Sequence, residues 1–113
     1  MIYEMKLNKE PFEAIKKGLK RVEMRLWDEK RRGILTGDQI LFTQRESNCT
    51  VLARVVGLKK FNSFEELYAA YDKCVLGYEE NEAAQPSDMS RYYSKEEIEK
   101  YGTLAIEIEV INK

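Results

Sequence analysis

Residues 18–42, GLKRVEMRLWDEKRRGILTGDQILF, decide the fold, because the first part of this stretch alternates between apolar and polar side chains. Val22, Met24 and Leu26 fall on one side of an extended chain, and charged or aromatic residues occupy the positions between them. This period of two residues predicts a strand over 20–27 with one apolar face directed toward a core. The opposite face carries charge and aromatic surface: Arg21, Glu23, Arg25 and Trp27.

The polar face of this strand contains the groups that bind anions and bases. Two guanidinium groups flank the carboxylate of Glu23, an indole follows, and Lys20 stands at the entrance of the strand. A planar donor fork, an acceptor and a stacking surface together suit a phosphate, a carboxylate or a nucleobase. The alternative interpretation is a solvated face with ion pairs across the strands, and the pattern alone leaves both open.

The rest of the chain predicts an α+β order. Apolar runs and alternation indicate short strands, while capping residues such as Ser63 and Ser94 mark the beginnings of helices. Residues 77–92 lack periodicity and are expected to form an irregular surface segment. The predicted strands are 2–7, 20–27, 39–43, 52–58 and 104–110, and the predicted helices are 8–17, 64–71 and 94–102.

Several function classes are excluded by what the sequence lacks. The 113 residues include no histidine, which removes catalytic triads and Cys/His metal sets, and Cys49 and Cys74 are expected to be buried free thiols. No glycine-rich dinucleotide or P-loop motif is present, so we expect neither a cofactor nor a metal. No apolar run approaches the roughly 20 residues of a membrane span, and the first residues do not resemble a signal peptide. These features predict a cytoplasmic protein without a membrane contact.

The charges are segregated although the net charge is only −1. Residues 16–32 hold eight basic against three acidic side chains, and residues 79–99 hold seven acidic against two basic ones. Such asymmetry suits a protein that presents one basic surface, including Lys30, Arg31 and Arg32, to a polyanion such as RNA. Solvated helix faces are the simpler alternative.

The order and spacing of particular residues resemble a known signature. Gly18, Lys20, Glu23 and Arg25, followed by Gly37-Asp38 and Phe42, resemble the GxKxxExR and GD motifs of ASCH domains, which are relatives of the PUA domain. The resemblance extends upstream to residues 5–12 and downstream to residues 92–102. It implies that residues 1–113 form one domain, a small PUA-like pseudo-barrel of five to six mixed strands with helices inserted between strands.

The resemblance also implies a cleft at one end of the barrel that takes RNA or a nucleotide-like ligand. Lys20 would supply a mobile point charge, Arg25 a planar donor, and Glu23 an acceptor or a brace for Arg25. Trp27 would offer a stacking face or a packing group, and both roles remain open. We expect Lys20 to stay hydrated in an open cleft, while Arg25 is expected to combine bracing with ligand binding.

An enzymatic function is the alternative. Some bacterial relatives are implied to be metal-independent amidohydrolases that act on N4-acetylcytidine with a lysine, a threonine three residues later and a glutamate. Lys20 matches the lysine, but Glu23 stands at the threonine position, and Glu65 and Glu66 are both candidates for the glutamate. A different scheme remains open, in which Glu23 activates water and Lys20 stabilises the oxyanion as catalytic residues.

Overall fold

One mixed sheet of five strands curls into an incomplete barrel in the computed structural model, which describes residues 1–112. The strands are β1 (Ile2–Leu7), β2 (Val22–Leu26), β3 (Gln39–Gln44), β4 (Thr50–Phe61) and β5 (Thr103–Asn112). The helices are α1 (Lys9–Lys16), α2 (Phe64–Ala70) and α3 (Lys95–Tyr101), with a 3₁₀ helix at Pro86–Arg91. This arrangement confirms the predicted α+β pseudo-barrel with helices inserted between strands.

The strand order leaves the two edges of the sheet facing one another. The order is β1-β3-β4-β5-β2, in which β1 and β3 run parallel and every other neighbouring pair is antiparallel. No strand pairing joins β2 to β1 within residues 1–112. The barrel is therefore open between its first two strands, and this opening is where the candidate site lies.

Strand β2 is buried on both faces, which the alternation alone did not predict. Val22, Met24 and Leu26 pack into an outer core beneath α2. The other face is turned toward the inner core, because Glu23 is paired with Ile106 and Arg25 with Leu104. Directly paired residues in neighbouring strands point to the same face of a sheet. The charged side chains therefore lie at the mouth of the barrel.

The predicted boundaries agree with the structure to within one residue at the helix ends. Among the strands they differ most at β4, which extends over Thr50–Phe61 instead of 52–58, and they also differ at β2. Ser94 forms the expected capping box with Glu97, and Gly18, at φ +79°, follows the end of α1. Strand β2 covers only 22–26, because the backbone N–H groups of residues 21 and 22 donate to the carbonyl of Val75 instead of a neighbouring strand. Lys20 consequently lies just before the strand and against residues 75–77.

The segment 77–92 is more ordered than the sequence predicted, and the cysteines are more exposed. The segment is irregular, but it includes the 3₁₀ helix, and Met89 within it is buried in the outer core. Both cysteines are free, but neither is buried as expected: Cys49 is exposed beside the turn between β3 and β4, and Cys74 is half-buried. None of the helices within residues 1–112 combines the length and apolar character needed to span a bilayer.

The outer core makes a direct prediction about stability. Leu67 of α2 is completely buried against β2, so Leu67→Ala should lower the free energy of unfolding by about 2 to 5 kcal/mol. Leu35→Ala removes the same atoms from a side chain that is 66% exposed, and it should change stability by less than about 0.5 kcal/mol. Urea titrations followed by circular dichroism measure both. Equal effects would contradict the packing of α2 on β2.

Candidate ligand-binding cleft

A cavity of about 670 Å³ opens at the mouth of the barrel. It is bounded by β2, the end of β1 with the beginning of α1, and the segment 76–93. Six basic side chains line it: Lys6, Lys20, Arg25, Arg31, Arg45 and Arg91. Four acidic side chains also line it: Glu10, Glu23, Glu82 and Asp88. The excess of basic groups makes the cavity a candidate for an anionic ligand.

The floor of the cleft is a buried ionic triad. Glu23 is 4% exposed, and its Oε2 accepts a hydrogen bond of 2.8 Å from Nε of Arg25. Nζ of Lys20 lies 3.4 Å from Oε1 of the same carboxylate and donates to the carbonyl of Leu76 at 2.9 Å. One carboxylate thus holds two cations in fixed positions.

The triad keeps Glu23 ionised. Burial by itself raises the pKa of Glu23, but the charges of Lys20 and Arg25 and their hydrogen bonds outweigh it, so the pKa lies below its usual value. For Arg25, burial is likewise outweighed, chiefly by the Glu23 carboxylate, and its pKa is raised. A carboxylate held in this state accepts hydrogen bonds well but is a weak base.

The expectation that Lys20 stays hydrated is wrong. The residue is only 6% exposed, because the turn at Leu76–Tyr78 packs directly on its side chain. Gly77 permits this approach: its φ is +109°, and a Cβ there would lie 3.1 Å from Cδ of Lys20. Lys20 therefore reaches the cleft with its ammonium group while its stem is enclosed. With two partners for three N–H donors, the ammonium retains one donor for a ligand.

Arg25 also bridges the open side of the barrel. Its Nη2 donates to the carbonyl of Lys6 on β1 at 3.3 Å, while its Nε is held by Glu23 on β2. The side chain of Arg25 thereby connects the two edge strands, β1 and β2, which are not paired through backbone hydrogen bonds. The same arginine thus braces the mouth and lines the cleft, while the ligand-binding part of its expected role stays a prediction.

The opposite wall is a tyrosine-rich surface that the sequence analysis did not identify. The hydroxyl groups of Tyr68 and Tyr78 lie 2.8 Å apart, and Tyr78 donates to Oδ2 of Asp88 at 2.7 Å. Burial, followed by these hydrogen bonds, raises the pKa of Tyr78, so its phenol stays protonated. Burial also raises the pKa of Tyr93, opposed by the guanidinium groups of Arg25 and Arg31. The sequence feature that could have indicated this wall is the number of tyrosines within and beside the irregular segment 77–92.

The structure divides the residues predicted for the site. Lys20, Glu23, Arg25 and Arg31 line the cleft, and Arg31 is fixed by an ion pair of 2.6 Å with Asp28. Three other predicted residues do not line this cavity: Trp27, Lys30 and Arg32. Trp27 is half-buried against the inner core, so the cleft does not receive its ring as a stacking surface. The predicted RNA contacts of the turn 28–32 remain predictions.

The site contains no arrangement suited to a metal. Within residues 1–112, no three cysteine, aspartate or glutamate side chains are grouped to hold a metal ion. What the residues offer instead is a set of fixed N–H donors at the floor, with hydroxyl and carboxylate acceptors on the facing wall. This set can bind an anionic group and orient a polar one beside it.

The comparisons with known proteins agree with this architecture. The crystal structure of hypothetical protein PH0355 is 35% identical, with a TM-score of 0.83 over 98% of this chain and 100% of that one. The solution structure of protein PF0455 from Pyrococcus furiosus is 33% identical over the full length of both chains, with a TM-score of 0.70. An ASCH domain from Lactobacillus crispatus shares the fold at 15% identity and a TM-score of 0.65, covering 99% of this chain and 80% of its own.

No curated protein matches the sequence. The family model of the ASCH domain, however, matches residues 5–112, which is nearly the whole chain. Together with the incomplete barrel, the match shows that this chain belongs to the ASCH domain family.

Proposed function

We propose that this protein binds RNA and takes a nucleotide-like part of it into the cleft. The observation that carries the proposal is the buried triad, in which Glu23 fixes Lys20 and Arg25 at the floor of a cavity whose basic side chains outnumber its acidic ones. Groups that are already fixed lose little side-chain entropy when a ligand binds. RNA binding is also what the resemblance to ASCH domains implies.

The residues divide between anion binding and base recognition in this proposal. Lys20 and Arg25 supply N–H donors to a phosphate, and Arg31, at the rim, adds a third cation. The Tyr78–Asp88 pair on the facing wall supplies acceptors for a ribose hydroxyl or an exocyclic amine. The turn residues Lys30 and Arg32 extend the same basic side outward, where they contact phosphates of the bound strand.

Arg25→Lys tests the planar donor without removing the positive charge beside Glu23. Because lysine cannot reproduce the forked geometry, we expect the variant to bind nucleoside 5′-monophosphates at least about tenfold more weakly. Isothermal titration calorimetry measures the affinity, and thermal unfolding checks the fold.

The matched control is Arg21→Lys, the same change at an exposed arginine that does not line this cleft. It should bind like the parent. If the two variants bind equally well, the floor of the cleft is not the ligand site.

The pH dependence of stability tests whether Glu23 is the ionised brace. Folding lowers the pKa of Glu23. Its contribution to the free energy of unfolding is therefore complete above the pKa of the unfolded chain, about 4.3, and it is lost as the pH falls through the lower pKa of the folded protein. Glu23→Gln should lose about 3 to 5 kcal/mol of stability at pH 7, because the buried Lys20 and the partly buried Arg25 lose their counterion. The difference from the parent should narrow as the pH is lowered below about 4.

Urea titrations at a series of pH values measure this difference. Glu10→Gln, a change at an exposed carboxylate on the rim, is the control and should alter stability at pH 7 by less than about 0.5 kcal/mol. If the difference in free energy of unfolding between Glu23→Gln and the parent stays constant as the pH is lowered, Glu23 does not stabilise the mouth as an ionised group.

The alternative function, an amidohydrolase acting on a modified nucleoside, is less well supported. Glu23 stands where the nucleophilic threonine is expected, and its carboxylate is occupied by Lys20 and Arg25, which makes it a poor general base. We expect no release of acetate from N4-acetylcytidine above the uncatalysed rate, as followed by liquid chromatography. Deacetylation that disappears in Lys20→Ala would establish the enzyme instead.

A further inference from the structure

Trp27 holds two cations that are distant in the sequence. The guanidinium carbon of Arg32, from the turn after β2, lies 4.5 Å from the centre of the indole, and Nζ of Lys60, from β4, lies 3.9 Å from it. Both basic side chains belong to exposed residues, while Trp27 is half-buried against the inner core. Nε of Arg32 also donates to the carbonyl of Trp27 at 3.3 Å.

This pair of cations lacks an acidic partner. Neither Arg32 nor Lys60 forms a salt bridge with any residue in the described part of the chain. Their contacts with one ring place the two charges at most about 8.4 Å apart, which is comparable to the screening length of about 8 Å in physiological salt. Two like charges held this close repel each other, and an anion between or beside them removes that repulsion.

We infer that Trp27, Arg32 and Lys60 form a second phosphate-binding site, which takes the backbone of single-stranded RNA next to the nucleotide in the cleft. This inference rests on the proposed function for the occupant of the cleft. Cation–π contact limits the motion of both long side chains before RNA arrives, which reduces the entropy lost on binding. The indole acts here as a support for the cations, a role different from both the base stacking and the core packing that the sequence left open.

The sheet makes this site continuous with the cleft. Lys60 is paired with Leu104 on β5, and Leu104 is paired with Arg25 on β2, so the lysine and the arginine share one row and one face. Two strand spacings, about 10 Å, separate their backbones. The turn after β2 makes a second connection, because Arg31 lines the cleft and the next residue, Arg32, contacts the indole. One RNA strand can therefore contact both sites.

The experiment compares a mononucleotide with an RNA that is long enough to leave the cleft. The probes are uridine 5′-monophosphate and a single-stranded oligouridine of about eight nucleotides. The double variant Arg32→Gln/Lys60→Gln should bind the oligonucleotide about tenfold more weakly while its affinity for the mononucleotide is unchanged. Since each phosphate contact contributes about 0.7 to the salt slope for single strands, the slope of log K against log salt should flatten by about 1.4.

Lys59 provides a matched control. It precedes Lys60 in β4, but its side chain faces Glu107, at 3.8 Å, and the ring of Tyr71 on the other face of the sheet. The double variant Arg32→Gln/Lys59→Gln removes the same total charge as Arg32→Gln/Lys60→Gln. Because it keeps Lys60, its slope of log K against log salt should flatten by only about 0.7. Trp27 is the only tryptophan, so its fluorescence should change when the oligonucleotide binds and stay constant with the mononucleotide.

The outcomes separate this inference from the proposed function. If both double variants lose the same oligonucleotide affinity and slope while Arg25→Lys still weakens the mononucleotide, the second site is wrong and the cleft stands. If Arg25→Lys has no effect on either probe but Lys60 carries oligonucleotide binding, the indole site stands and the cleft is wrong. Unchanged Trp27 fluorescence with saturating oligonucleotide would also overturn the second site.

Discussion

The ionised carboxylate of Glu23 is the constraint on which the mouth of the barrel depends. A carboxylate that is 4% exposed in an apolar environment costs several kcal/mol unless it is paired and hydrogen-bonded. Lys20 and Arg25 provide that pairing from two sides. Because each of them is also tied to a backbone carbonyl, of Leu76 and Lys6 respectively, the charge cluster joins three segments of the chain: β1, residues 20–25 and the turn at Leu76.

This arrangement explains why the barrel remains open between β1 and β2. Backbone hydrogen bonds between β1 and β2 would bring the two strands together and close the mouth. The single guanidinium of Arg25 spans the gap between them and leaves space beside itself. The cavity lies where the two edge strands are joined through Arg25 instead of through their own N–H and C=O groups. Arg25 thus both bridges the opening and lines the cleft, and this is why it is better tested by lysine than by alanine.

The sequence predicted the strand and its polar face but not the environment of that face. Alternation of Val22, Met24 and Leu26 determines that one face is apolar, and it says nothing about whether the other is covered. Burial of Lys20 depends on Gly77, more than fifty residues later, and on the left-handed turn that only glycine accommodates easily. Periodicity within a strand carries no information about such a distant contact.

The same limit applies to the rest of the candidate site. Tyr78 and Asp88 are brought together by a segment that has no regular pattern, so only the structure assigns them to the cleft wall. Trp27 lies two residues after Arg25 and was expected beside it. Beyond the end of β2, its ring instead packs on the inner core and meets Lys60 from β4. A side chain's direction after the last paired residue is set by tertiary packing, which local sequence does not encode.

The protein therefore holds its cations in two physically different ways. In the cleft, Lys20 and Arg25 share one carboxylate, so they offer directed N–H donors whose positive charge is partly offset. At the indole, Arg32 and Lys60 are held by a ring without a counterion, so their full charge reaches solvent. Directed donors favour recognition of one group, while unpaired charge favours long-range attraction of a polyanion. A chain with a net charge of only −1 can still present local positive charge, because Arg32 and Lys60 meet at one ring and Arg32 directly follows Arg31, which lines the cleft.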